Sequence, residues 1–160
     1  MYAPSVLRIY TLDKRSTIVY TRTSIPVTSG LFIMEDAMAR ILVVDDEQPN
    51  RDMLCRVLEL DNHAVETAEN GLIALERLRA VAMPLIELVV SDFDMPKLDG
   101  GGLARAVRDD ERLHGLPFII VTGDRTRQNV FGVDAFLYKP LDFSALRATV
   151  AQLLQPRAPS

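Results

Sequence analysis

The sequence has little cysteine and no long apolar run. Cys55 is its one cysteine, which excludes an intramolecular disulfide and suits a reducing compartment. No apolar stretch approaches the roughly 20 residues needed to cross a bilayer. A basic segment followed by an apolar run and a cleavage site, the mark of a secretion signal, is not seen. We therefore expect a cytoplasmic protein with no membrane partner.

Basic charge is also scarce. The chain has 18 Lys and Arg against 22 Asp and Glu, for a net charge of −4. A basic stripe or a helix-turn-helix segment would indicate nucleic-acid binding, and neither is present. The composition is 48% hydrophobic over 160 residues, enough for one domain with a substantial core. We expect a globular domain that does not bind nucleic acid.

The chain changes character near Met38. Residues 1–38 are rich in Thr, Ser and Tyr, and could form a hairpin around Asp13-Lys14-Arg15, although an isolated hairpin is marginal in water. Two interpretations are open: a functional extension, or a flexible leader, one origin of which would be a start codon assigned too far upstream, with Met38 as the natural start. The second is favoured. We expect a domain over 39–155 and a short tail over 156–160.

After Met38, short apolar runs alternate with amphipathic stretches. This alternation predicts an α/β fold with a doubly wound, five-stranded parallel sheet and helices on both faces, because parallel strands need crossover connections. The predicted strands are 41–44, 64–68, 86–91, 118–121 and 135–138, and Asp142 is predicted to cap the last helix. Ligands of such sheets bind beyond the carboxyl ends of the strands.

Acidic residues, a threonine and a lysine follow the predicted strands. The set is Asp45, Asp46, Asp92, Asp94, Thr122 and Lys139. Carboxylates gathered at one edge of a sheet repel each other unless a cation is present. Mg²⁺ prefers such oxygen ligands and can also hold a phosphoryl oxygen. We therefore expect a magnesium site.

The same residues suit phosphoryl transfer. Asp92 is placed to act as a carboxylate nucleophile that forms an aspartyl-phosphate. The charge on the transferred group spreads over its equatorial oxygens, which Mg²⁺, the Lys139 ammonium and the Thr122 hydroxyl can stabilise. Each residue alone is commonplace. Their combination, each after a separate strand, favours this chemistry.

The motifs resemble those of receiver domains in bacterial two-component response regulators, over about residues 39–155. The resemblance rests on Val43–Glu47, Ser91–Gly100, Val121–Gly123 and Tyr138–Pro140, with the run Asp-x-x-Met-Pro-x-x-Asp-Gly the most specific. It implies a flavodoxin-like fold and a role as phosphoacceptor in a phosphorelay. The donor would be a phosphohistidine on a sensor histidine kinase or phosphotransfer protein, and a downstream protein would be the target.

The resemblance also implies roles for single residues. Asp92 would be the phosphoacceptor, and Asp46 would bind Mg²⁺ directly. Asp45 would bind it mainly through water, and Asp94 through its backbone carbonyl. Pro140 would follow a cis peptide bond. Receivers catalyse their own modification and dephosphorylation but are not normally classed as enzymes, and no output domain is expected here.

Two features depart from the family pattern. Phe136 stands where receivers usually have Tyr or another aromatic residue, which moves inward when the threonine hydroxyl swings to the phosphate. Without a hydroxyl to hold it at the surface, Phe136 should favour the inward position. The stretch from Thr122 to Lys139 is roughly five residues short, a little more than one helical turn, so the fourth helix should be shortened, irregular or lost.

Two other functions remain open. Asp92-Phe93-Asp94 after an apolar strand also resembles the opening motif of haloacid-dehalogenase-type phosphatases, which use an Asp nucleophile and Mg²⁺. In that family the acidic pair comes late in the chain, whereas Asp45-Asp46 come first here. The second alternative is a receiver-like interaction module that works without phosphorylation.

Overall fold

The computed structural model describes residues 8–12, 18–22, 39–80 and 85–155. The chain divides into two units, Met1–Met38 and Ala39–Ser160. In the first unit, strands β1 (Arg8–Leu12) and β2 (Ile18–Arg22) pair antiparallel. They are the arms of the predicted hairpin, and its predicted turn lies outside the described residues. The tail over 156–160 lies outside them as well.

The second unit is an α/β domain with a parallel five-stranded sheet. Its elements in chain order are β3 (Arg40–Val44), α1 (Gln48–Leu60), β4 (Ala64–Ala68), α2 (Gly71–Arg79), β5 (Leu88–Asp92), α3 (Gly100–Asp109), β6 (Phe118–Thr122), β7 (Ala135–Tyr138) and α4 (Phe143–Leu153). The strand order is β4-β3-β5-β6-β7, so the chain reverses its direction of winding between β3 and β5. The predicted fold class is confirmed.

Capping side chains and a proline mark where three of the helices begin. The Asn70 side chain accepts hydrogen bonds from the first turn of α2, and Asp142 accepts one from the Ser144 N–H at the start of α4. Pro49 lies in the first turn of α1, where its missing N–H costs no hydrogen bond. The cap predicted at Asp142 is confirmed.

Two apolar cores lie on opposite faces of the sheet. One packs α1 and α4 against the sheet, and its largest buried residues include Ile41, Leu58, Leu88, Ile119 and Leu146. The other packs α2 and α3 against the opposite face, with Leu42, Val89, Leu103, Phe118 and Ile120. Strands β5 and β6 are buried throughout, as expected for strands covered on both faces. Among the described helices, none has the length and apolar character that a membrane span requires.

No helix forms between β6 and β7. Residues 123–134 are described throughout and contain only turns, bends and backbone without regular structure, so the helix predicted to be shortened is absent. Asp124 explains part of this, because its carboxylate accepts the backbone N–H and the hydroxyl of Thr126, a local pattern that competes with helix formation. Asn129 and Gly132 have φ of 66° and 89°, outside the helical region.

Candidate functional site

Polar side chains come together at the carboxyl edge of the sheet, around the point where the winding reverses. Asp45 directly follows β3 and Asp92 ends β5, while Thr122 ends β6 and Lys139 directly follows β7. Asp45, Asp92 and Thr122 are buried. Four separate strand ends therefore supply one pocket, where ligands of this class of sheet bind.

Asp92 is buried, at 5% exposed, and is paired with a lysine. Its Oδ1 lies 2.6 Å from Nζ of Lys139, and the backbone N–H of Asp94 also donates to its carboxylate. Burial raises the pKa of Asp92 although Lys139 acts to lower it. Burial also acts to lower the pKa of Lys139, but the hydrogen bond and charge of Asp92 outweigh it and raise that pKa. Lys139 therefore stays charged.

Asp45 faces Asp92 across the pocket. Its Oδ1 accepts the backbone N–H of Glu47 at 2.8 Å and the side-chain amide of Asn50 at 3.4 Å. Burial raises the pKa of Asp45, the Glu47 hydrogen bond opposes this, and the negative charge of Asp92 raises it further. The negative charges of two buried carboxylates repel each other, and a bound cation would relieve this repulsion.

Thr122 and Lys139 are held on adjacent strands. Thr122 lies opposite Tyr138 in the register of β6 and β7, and its carbonyl accepts the backbone N–H of Lys139 at 2.8 Å. The Thr122 hydroxyl oxygen accepts the backbone N–H of Asp124 at 3.1 Å. The peptide bond between Lys139 and Pro140 is cis, as the family resemblance implied.

The run after Asp92 shapes the loop that leads into α3. Met95 is a buried anchor in the second core, and Lys97 turns the chain with φ of 71°. Asp99 caps α3 by accepting the Gly102 N–H at 2.7 Å. At Gly100 an added Cβ would lie 2.4 Å from the backbone oxygen of Asp92, so only glycine lets the helix approach the end of β5 so closely.

The remaining predicted ligands, Asp46 and Asp94, are exposed. The Asp94 carboxylate turns to Arg127, with Oδ1 2.8 Å from Nη1. Across the described segments, no three His, Cys, Asp or Glu side chains converge closely enough to hold a metal by themselves. Mg²⁺ is usually held by one or two carboxylates together with water and phosphate oxygens. Asp45 and Asp92 could supply those carboxylates.

Comparison with known proteins identifies the family. A family model described as "Response regulator receiver domain" matches residues 41–151. The chain belongs to this family. Two-component response regulator ARR17 of Arabidopsis thaliana is 31% identical, over 81% of this chain and 94% of that protein. Hybrid signal transduction histidine kinase M of Dictyostelium discoideum is 33% identical over 71% of this chain, which spans only 5% of that kinase's length.

A solved structure supports the same assignment. Response regulator protein TrrA of Thermotoga maritima, in complex with Mg²⁺ and BeF, is 31% identical to this chain with a TM-score of 0.65. The similarity covers 73% of this chain and 100% of that one. The receiver assignment thus rests on fold as well as sequence.

Phe136 lies on β7, three residues before Lys139, and Gly123 directly follows Thr122 at the end of β6. Phe136 is half-buried and packs against the second core, on the α2–α3 face. Its preference for an inward position on phosphorylation stays a prediction. Gly123 is exposed, and an added Cβ would meet no atom within 4 Å. The space beside Thr122 is therefore open.

The two histidines and the cysteine lie outside the receiver site. His63 precedes β4, at the end of the sheet opposite the pocket, and His114 is exposed in the turn after α3. Cys55 is half-buried on α1, where burial raises the pKa of its thiol. A raised pKa keeps a thiol protonated and unreactive, in agreement with a packing role.

Sequence reasoning missed two arginines. Arg51 on α1 donates to the backbone carbonyl of Asp45 at 2.5 Å, and Arg127 contacts Asp94. Asp124, three residues before Arg127, is one of its partners, but no local pattern indicates its contact with Asp94. Arg51 follows Asp46 by five residues, which places it one helical turn inside α1. That position close to the acidic pair was the one signal in the sequence that could have predicted its contact with Asp45.

Proposed function

We propose that Asp92 accepts a phosphoryl group from a phosphohistidine on a sensor histidine kinase or phosphotransfer protein. The modified form then changes a surface that a downstream protein binds, and the pathway operates in the cytoplasm. The observation that supports this most is the buried Asp92 carboxylate, 2.6 Å from the Lys139 ammonium and opposite Asp45. The receiver family and the Mg²⁺–BeF complex of a relative favour the same role.

In the transfer, a carboxylate oxygen of Asp92 bonds to phosphorus while the bond from phosphorus to the donor's imidazole nitrogen breaks. Lys139 holds one oxygen of Asp92 and leaves the other for attack. Its ammonium and the Thr122 hydroxyl then stabilise the charge on the phosphoryl oxygens. Mg²⁺ held by Asp45, Asp46, Asp92 and the backbone carbonyl of Asp94 would neutralise the remaining negative charge.

The chain is proposed to be a signalling domain rather than an enzyme, with self-catalysed transfer and dephosphorylation only. A haloacid-dehalogenase-type phosphatase is disfavoured because the first carboxylate of the pocket, Asp45, lies on the first strand of the sheet and well before Asp92. The phosphatase would turn over p-nitrophenyl phosphate at enzyme-like rates, whereas a receiver would not sustain turnover.

The test is modification by acetyl phosphate and Mg²⁺, followed by intact-mass measurement under conditions that protect an acyl phosphate. Wild type should gain one phosphoryl group, and chelation of Mg²⁺ should abolish the gain. Asp92→Asn should gain none, whereas Asp109→Asn, a matched change at an exposed residue on α3, should behave as wild type. Modification of Asp92→Asn would refute the assignment. No modification of folded wild type would support the phosphorylation-independent module.

A further inference from the structure

Arg127 joins the two loops that flank the phosphorylation pocket. Its Nη1 lies 2.8 Å from Oδ1 of Asp94 and its Nε lies 3.2 Å from Oδ2 of Asp124. The guanidinium carbon also lies 4.0 Å from the centre of the Phe93 ring. Phe93 and Asp94 directly follow Asp92, whereas Asp124 and Arg127 belong to the segment between β6 and β7. Arg127 therefore connects loops that are 33 residues apart.

These contacts suit a guanidinium group in particular. Its planar fork can donate to two carboxylates while its face lies on an aromatic ring, an arrangement that a lysine ammonium does not reproduce. Hydrogen bonds from Thr126, together with Arg127, lower the pKa of Asp124, so this carboxylate stays charged. The backbone N–H of Asp124 donates to the Thr122 hydroxyl, which connects the cluster to the phosphate side of the pocket.

The contact with Asp94 also changes the charge at the entrance. Asp94 is exposed beside the phosphoacceptor, where its negative charge would repel an anionic phosphoryl donor and attract a cation. Arg127 compensates that charge through its ion pair with the Asp94 carboxylate. The segment that contains Arg127 has no helix, so this ion pair depends on the shortened connection between β6 and β7.

We infer that Arg127 is a positioning residue for phosphoryl transfer: it neutralises Asp94 and anchors the β6–β7 segment beside the pocket. This inference rests on the proposed role of Asp92 as phosphoacceptor. Loss of the positive charge at Arg127 leaves Asp94 uncompensated. Modification by an anionic donor then becomes slower, while Mg²⁺ binds more tightly. A merely structural defect would weaken Mg²⁺ binding, so the two effects together distinguish charge compensation from damage to the fold.

The test compares Arg127→Gln with Arg125→Gln, a matched change on the same segment. Arg125 is exposed and its guanidinium lies 5.5 Å from the centre of the Tyr138 ring. Arg127→Gln should slow modification by acetyl phosphate by roughly threefold to tenfold and tighten Mg²⁺ binding by a similar factor, as expected for one partly screened charge. Arg125→Gln should change both by less than about twofold. Mg²⁺ affinity is measured by calorimetry without a phosphoryl donor.

A double-mutant cycle locates the effect. In an Asp94→Asn background, Arg127→Gln should lose most of its influence on rate and affinity, because no carboxylate remains to compensate. Unchanged rate and affinity in folded Arg127→Gln would overturn the inference, as would equal effects of Arg125→Gln. Arg127→Lys, which keeps the charge, serves if the glutamine variant does not fold, and should retain the wild-type Mg²⁺ affinity. Failure of wild type to be modified would instead overturn the proposed function, and this inference with it.

Discussion

The two faces of the sheet are covered in different ways. On one face α1 and α4 bury a continuous apolar core. On the other, α2 and α3 cover part of the sheet, while residues 123–134 connect β6 to β7 without forming a helix. Only Val133 of this segment packs against the second core. The first face is held by apolar packing, whereas this part of the second depends on polar contacts.

Asp134 and Arg108 provide much of that polar support. The Asp134 carboxylate accepts the backbone N–H of Phe118 at 2.8 Å and a guanidinium N–H of Arg108 at 2.7 Å. Arg108 also donates to the backbone carbonyl of Leu116 at 2.7 Å. The end of the segment is thus tied both to the start of β6 and to α3. Directed hydrogen bonds substitute here for the apolar surface that a helix would bury.

The largest expected effect contrasts one apolar residue from each face. Leu58 on α1 is fully buried, and Leu58→Ala should destabilise the domain by about 2–5 kcal/mol. Phe136 on β7 is larger but only half-buried, so Phe136→Ala should cost less, about 1–3 kcal/mol. Denaturant unfolding of both variants measures the difference. A greater loss for Phe136→Ala would show that the second face is as tightly packed as the first.

A smaller effect is expected at Asp134. Asp134→Ala should destabilise the domain by about 1–3 kcal/mol, because it leaves the Phe118 N–H and the Arg108 guanidinium without this acceptor. Asp134→Asn keeps an acceptor oxygen and should cost less. Asp109→Ala, at an exposed position on α3, is the control and should change stability by less than about 0.5 kcal/mol. If Asp134→Ala unfolds at the same denaturant concentration as this control, polar contacts do not support the second face.

The sequence could predict the elements held by apolar packing, but not the segment held by polar contacts. Asp92, Thr122 and Lys139 each lie at the end of a short apolar run, so their shared edge follows from strand periodicity and the parallel sheet. The length of the stretch from Thr122 to Lys139 was the signal that the helix expected there would be shortened, irregular or lost. The path of the segment without a helix was not predictable. The pairing of Arg127 with Asp94 depends on that path, and no local pattern encodes a contact between residues so far apart in the chain.

The smallest expected effect lies at the carboxyl edge of the sheet, which both faces share. There the charges of Asp45 and Asp92, rather than apolar packing, determine the change in stability. Burial raises the pKa values of Asp45 and Asp92 above the ordinary value of 3.8, so the folded domain binds protons more readily than the unfolded chain. Without Mg²⁺, the free energy of unfolding should therefore fall as the pH rises from 3.8 through these raised values, and then level off.

Asp45→Asn removes one of the two buried charges and keeps an oxygen that can accept the Glu47 N–H. With Mg²⁺ chelated, near neutral pH, this variant should be more stable than wild type by on the order of 1 kcal/mol, and its stability should vary less with pH. Mg²⁺ should stabilise it less than it stabilises wild type, because one carboxylate of the pocket is missing. Thermal and denaturant unfolding with Mg²⁺ or chelator checks both effects. A variant less stable than wild type without Mg²⁺ would mean that hydrogen bonds to the Asp45 carboxylate outweigh its repulsion from Asp92.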